Sequence, residues 1–113
     1  MVKRGKTPVW SREDAKKLLE SIPRDDLAGL RDRALISTML FSFARISAVL
    51  SLKRQDFYYQ GARRWLRFHE KGGKEHKMPA HHEIVETIDD YLARVSIDDK
   101  QPLFQSVNRL APR

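Results

Sequence analysis

The chain has no cysteine among its 113 residues, which excludes disulfides and thiolate metal sites and fits a cytoplasmic setting. No apolar run is long enough to span a bilayer. The basic start, Met1-Val2-Lys3-Arg4-Gly5-Lys6, leads into Thr7-Pro8 rather than into the apolar stretch of a signal peptide, so no membrane partner is expected. The four histidines, His69, His76, His81 and His82, lack the spacing of a zinc set, and no HExxH pattern is present. They read as solvated or groove-lining side chains. Gly72-Gly73-Lys74 is not a P-loop, because the earlier glycine and the following Ser/Thr of that pattern are missing. No Ser–His–Asp or paired-carboxylate arrangement follows from the spacings, and no repeat or low-complexity segment interrupts the chain.

Positive charge, by contrast, is in excess. The net charge is +7, and residues 1–64 carry 14 Lys/Arg against 7 Asp/Glu while residues 65–113 carry 8 of each. A polyanion partner, most simply nucleic acid, is the natural reading of that asymmetry; solubility alone is the bland one.

The length suits one domain or part of one. Residues 1–9 read as a basic linker broken by Gly5 and Pro8. Ser11-Arg12-Glu13-Asp14 has the form of a capping box, and Ala15, Leu18, Leu19 and Ile22 follow at helical spacing up to Pro23. A second helix spans about Leu27 to Phe43. Its apolar residues cover most of the circumference, which predicts the buried central helix, with Arg31, Asp32 and Arg33 on its wetter first turns. After a break near Ala44, a short helix is predicted over Ile46 to Leu52, with Ile46, Val49, Leu50 and Leu52 on one face.

The run Lys53 to Gly61 reads as a polar, aromatic connection. Trp65 to His69 alternates as a strand with Leu66 and Phe68 on one face, Gly72-Gly73 supplies a turn, and Glu75 to Met78 returns as its partner before Pro79. A final helix is predicted over His82 to Val95, and Pro102-Leu103-Phe104 forms an apolar anchor in a loop-like tail. The fold class is therefore mainly α with a small antiparallel β-hairpin or sheet (α+β). Asn108 to Arg113 is neither a helix cap nor an evident domain end and reads as a cut.

Two residues stand out for chemistry. Arg45 is the single charge between Phe41 and Leu52, and a guanidinium on a core-facing segment is costly unless compensated. A bound phosphate, gripped by its planar fork, is one way to compensate it; a buried ion pair with Asp32 or Asp56 is the other. Lys71, on the glycine-rich turn, either reaches into a DNA groove or is an ordinary solvated lysine. Tyr58, Tyr59 and Tyr91 are nucleophiles by chemistry only. Tyr91 lies on an apolar helical stripe and reads as core, and Tyr58 and Tyr59 pack or stack in the connection.

Taken together, the runs Arg31-Asp32-Arg33-Ala34-Leu35, Phe43-Ala44-Arg45-Ile46-Ser47 and Leu50 to Asp56 resemble the first conserved box of the tyrosine recombinases, the phage-integrase family. Trp65 to Pro79 resembles the strand–turn–strand that carries the family's catalytic lysine. The resemblance spans roughly residues 8–106 and implies that residues 10–113 are the N-terminal part of the catalytic domain. It implies that Arg45 binds the scissile phosphate and stabilises the pentacoordinate transition state. It implies that Lys71 is general acid toward the 5′-oxygen leaving group, with Lys74 as the nearby phosphate contact. Lys53, Arg54, Lys77 and His76 are the further candidate DNA contacts.

In the family a tyrosine attacks the phosphate to give a 3′-phosphotyrosyl bond, so neither ATP nor metal is required and no small-molecule cofactor is implied. Two departures stand out. The acid often found three positions after the first arginine is Ala48 here. The second box, His-x-x-Arg followed by the nucleophilic tyrosine, has no counterpart before Arg113. The expected chain therefore binds duplex DNA without cleaving it alone, and leaves an apolar patch exposed through which it self-associates. A natural non-catalytic DNA-binding remnant is the alternative. A small basic RNA-binding protein is the weakest, since no segment visibly pairs a sheet with surface aromatics.

Overall fold

A computed structural model describes residues 11–110. The linker expected at residues 1–9 and the last residues, 111–113, lie outside that range. The described residues form helices α1 (Arg12–Glu20), α2 (Leu27–Ser42), α3 (Ile46–Leu50) and α4 (His82–Leu92), and strands β1 (Phe57–Gln60), β2 (Arg63–His69) and β3 (Glu75–Pro79). The strands make one antiparallel sheet in the order β1-β2-β3. The class is α+β, as expected.

Local chemistry accounts for the helix boundaries. The Asp14 N–H donates to Ser11 Oγ at 3.0 Å, and the Ser11 N–H donates back to the Asp14 carboxylate at 3.4 Å, the reciprocal box that starts α1. Pro23 follows the end of that helix. Asp26 caps α2 by accepting from the Gly29 N–H at 2.7 Å. Only glycine fits at 29, because a Cβ there would collide with the Pro23 carbonyl oxygen.

α4 packs along α2, and the buried face of α2 is made largely of small residues: Gly29, Ala34, Ser37 and Thr38. The larger Leu35, Ile36, Met39, Leu40 and Phe41 are only half-buried, so α2 is central without being enclosed all round. Arg33 departs from its expected wet position. It is 4% exposed, and its Nη1 donates to the Leu19 carbonyl at the end of α1, which also accepts from the Ile22 N–H at 3.2 Å. Burial, reinforced by the Arg24 charge, lowers its pKa from the usual arginine value.

The sheet sets Phe57, Leu66 and Met78 side by side on its core face. The Tyr58-Tyr59 segment is strand β1, not a connection. Gln60-Gly61-Ala62-Arg63 closes a two-residue hairpin turn with Gly61 at φ +65°. Tyr58 and Tyr59 do stack, under Arg67 (4.7 Å to the ring centroid) and Arg64 (4.4 Å) respectively. On α3, Val49 is buried, as is Leu52 just beyond it, whereas Ile46 and Leu50 are exposed; they do not share one buried face. α4 ends at Leu92, three residues before the predicted limit, although Val95 is still buried.

The apolar anchor is where it was expected. Leu103 is fully buried, and its N–H donates to the Leu52 carbonyl at 2.9 Å. The buried Tyr91 hydroxyl donates to the Leu103 carbonyl at 2.9 Å, and the Tyr91 ring stacks on Phe104. Tyr91 is thus a core residue. Its burial raises its pKa, and no groove reaches it.

Candidate nucleic-acid interface

The site begins where α2 stops. Ser42 ends the helix, Phe43 turns the chain through φ 59°, ψ 16°, and the Ala44 N–H donates to Ser42 Oγ at 3.1 Å. That turn delivers Arg45 in an extended conformation (φ −66°, ψ 150°) at the start of α3, which Val49 and Leu52 pin to the core. Arg45 therefore projects outward. It is exposed, against the expectation of a core-facing guanidinium, and among the described residues its guanidinium has no hydrogen-bond or ion-pair partner.

Neither acid weighed as its partner is available. Asp32 accepts from Arg31 at 2.6 Å and 3.1 Å, and the same guanidinium donates to the Gln105 carbonyl at 3.0 Å. Asp56 is 1% exposed and is occupied by the Lys53 N–H at 2.9 Å, His69 Nε2 at 3.0 Å and Arg67 Nε at 3.5 Å.

Arg45 and Ser47 stand on one side of a groove of about 780 Å³. The end of the β2–β3 hairpin stands on the other, contributing His69, Glu70, Lys74 and His76, and Ala48, Phe68 and Met78 form part of the floor. The hairpin is closed by the Glu70 N–H donating to the Lys74 carbonyl at 2.7 Å. Between them lies a tight 3-10 turn, Lys71–Gly73, in which Gly72 and Gly73 take φ of +79° and +80°. Those left-handed angles are why two glycines stand there. The backbone thus sets Lys71 at the tip, between two residues that line the groove.

The remaining basic candidates are dispersed. Lys77 is exposed on β3, opposite Arg67 in the register and so on the face away from Leu66 and Phe68; it does not line the groove. Lys53 pairs its backbone with Pro102. Arg54 is half-buried and donates to the Phe57 carbonyl at 3.2 Å, which ties its guanidinium to the scaffold. Of the predicted contacts, the structure brings Arg45, Lys74 and His76 into one groove and leaves Lys53, Arg54 and Lys77 outside its lining.

Two groove features escaped the sequence reading. His69 is held by the buried Asp56 carboxylate, thirteen residues upstream, a separation that no local pattern encodes. Phe43 is 92% exposed at the groove's lip, with a left-handed backbone that nothing in its residue type announces. None of the three tyrosines lines the groove. Among the described residues, no group of His, Cys, Asp or Glu is arranged to hold a metal ion. Nor is any helix there long and apolar enough to cross a membrane.

The chain belongs to the tyrosine recombinases and corresponds to part of such a protein. It is 35% identical over 80 residues to tyrosine recombinase XerC of Pelobacter propionicus, a match that covers 71% of this chain and 26% of that protein. It is 31% identical over 99 residues to tyrosine recombinase XerA of Pyrococcus furiosus, covering 88% of this chain and 33% of that one. The chain thus spans between a quarter and a third of the length of these curated relatives. No protein-family model matches it. The fold is shared with the XerH site-specific recombinase bound to its difH substrate in a pre-cleavage complex, with a TM-score of 0.66 at 23% identity, over 100% of this chain and 34% of that one. The post-cleavage complex of XerH on palindromic difH gives 0.64 at 22% identity, over 92% and 31%.

Proposed function

We propose that residues 10–113 are the N-terminal part of a recombinase catalytic domain and that the groove between Arg45 and the hairpin holds a DNA phosphodiester. The observation that carries this is the exposed, unpartnered Arg45 facing Lys74 and His76 across one groove. A guanidinium with no protein partner is free to give two parallel charge-assisted bonds to non-bridging oxygens, and to strengthen them as negative charge grows in the transition state. Lys71, at the hairpin tip, is the proton donor to the 5′-oxygen, Lys74 neutralises flanking phosphate, and His76 is a further contact to it. Ala48 in the floor puts no carboxylate beside Arg45, which keeps the guanidinium available to an anion.

The nucleophile is not among this chain's residues in this reading. Tyr91 is buried, Tyr58 and Tyr59 sit beneath Arg67 and Arg64, and none of them faces the groove. The chain therefore binds duplex DNA and does not cut it alone. Binding of the isolated chain is expected to be weak and largely non-specific, at roughly 10⁻⁴–10⁻⁶ M at physiological salt. Titration of a labelled duplex at several salt concentrations tests this. Arg45→Ala should weaken binding uniformly across sequences and lower the salt slope by about one. An unchanged slope and affinity would remove Arg45 from the site. A duplex with a nicked, trapping cleavage site should form no covalent adduct with the chain; an adduct would show that a tyrosine here is active after all.

Self-association rests on the exposed Ile46 and Leu50 of α3, which do not line the groove. Sedimentation as a monomer at all concentrations would argue against it. One observation favours a second reading. The register places Tyr58 beside Trp65, and Arg67 beside Lys77, on the sheet face opposite the core, so an aromatic and basic sheet surface is present. Preference for folded RNA over duplex DNA in a competition would favour that reading over the groove.

A further inference from the structure

Phe43 is the least explained residue of the groove. It is a bulky side chain at φ 59°, a left-handed region that L-residues other than glycine rarely adopt, and it withholds 92% of its surface from the core. Neither packing nor backbone preference accounts for it. A phenylalanine in a left-handed turn, offered to solvent beside a phosphate-binding arginine, is strain kept where contact with a ligand can use it. A single residue, Ala44, separates it from Arg45, and both line the same groove.

We propose that Phe43 stacks on a nucleobase of the strand whose phosphate Arg45 holds, and that the groove therefore prefers DNA with an unpaired or unstacked base at that point over a perfect duplex. This rests on the phosphate reading above. The groove carries two cations, Arg45 and Lys74, against one acid, Glu70, and that net positive charge selects a nucleic acid as the occupant rather than an apolar peptide. An intact duplex hides the faces of its bases, whereas a mismatch, an abasic site opposite a base, or a single strand offers one. Stacking on an aromatic ring tolerates any base, so the preference is for local structure and not for sequence.

The test compares two labelled duplexes that differ at one position, one fully paired and one carrying 2-aminopurine opposite an abasic site. The chain is expected to bind the second about tenfold more tightly, within the range of one base–aromatic stack, and to quench the 2-aminopurine fluorescence. Phe43→Leu keeps apolar bulk without the ring; it should bring the affinities for the two duplexes to the same value and abolish the quenching. Phe43→Tyr should retain both. Equal affinity of the unaltered chain for the two duplexes, or a preference that survives Phe43→Leu, overturns the proposal. If Arg45→Ala weakens binding to both duplexes in that case, the phosphate reading stands and the stacking alone falls. If Arg45→Ala changes nothing, both fall together.

Discussion

His69 Nε2 lies 3.0 Å from the carboxylate of Asp56, a side chain only 1% exposed. The same carboxylate accepts from the Lys53 N–H and faces Arg67 at 3.5 Å, so one buried acid joins the start of the Arg54–Asp56 turn, the middle of β2 and the hairpin wall of the groove. Removing it strands the Lys53 N–H and takes one partner from each of Arg67 and His69, which keep the Gln55 carbonyl and the Glu75 carboxylate respectively. Because His69 and Arg67 retain partial access to water, the loss falls short of that for a fully buried pair. Asp56→Ala is expected to cost about 2–3 kcal/mol, measured as the shift in the urea unfolding midpoint, and to weaken DNA binding through a displaced hairpin. A shift below about 0.5 kcal/mol would show that the turn and the sheet hold without it.

Gly29→Ala tests the junction between α1 and α2. The added Cβ would meet the Pro23 carbonyl oxygen and crowd the Asp26 carboxylate that caps the helix. A backbone atom cannot swing aside as a side chain can. The usual gain of alanine over glycine inside a helix is therefore reversed, and a net loss of about 1–3 kcal/mol is expected on thermal or chemical unfolding. A stabilised variant would mean that the 23–29 turn relaxes freely.

Much of this scaffold is legible in sequence because its signals are local. The Ser11 capping box, the Leu66 and Phe68 alternation, the twin glycines at 72 and 73, and the Pro102-Leu103-Phe104 anchor each report a preference that the tertiary structure leaves in place. The misreadings share a cause. Arg33 is buried with its guanidinium on the carbonyl of Leu19, fourteen residues away, a pairing that only the packing of α1 on α2 creates. Tyr58 and Tyr59 belong to a strand because β2 pairs with them, although the Gly61-Ala62 turn between two aromatic runs was a usable signal. The site divides the same way. Arg45 is conspicuous as a lone charge, but its freedom depends on where Asp32 and Asp56 spend their oxygens, which only the fold decides.

Acid should loosen the start of α4. His81 Nδ1 accepts from the Glu83 N–H at 3.1 Å, and its ring lies between Phe41 and His82. Desolvation lowers its pKa from the free value of 6.5, with the neighbouring His82 and Arg12 charges acting in the same direction. The folded state thus favours the neutral ring. Below pH 6.5 the unfolded chain takes up this proton first, so its contribution to stability is intact above that pH and is lost as pH falls through the lower folded pKa. Melting temperature should decline from pH 7 toward 5, before the carboxylates titrate. His81→Asn keeps a capping acceptor without the titration, and should flatten that decline. An equally steep decline in the variant would assign it to other groups.

Phe43→Gly carries opposite predictions for stability and for binding. Glycine accepts φ 59° without steric cost, which relieves roughly 1–2 kcal/mol, while the freer unfolded chain takes back about 0.4–1 kcal/mol. Little packing is lost, since the ring is 92% exposed. The balance is a gain of about 0.5–1 kcal/mol in unfolding free energy. If the ring serves only as surface, the stabilised variant binds every DNA as the unaltered chain does. If it stacks on a base, the more stable protein is the poorer binder of the unpaired site and loses its preference for that site over the paired duplex. A residue whose removal improves the fold and impairs the contact is held there by the contact.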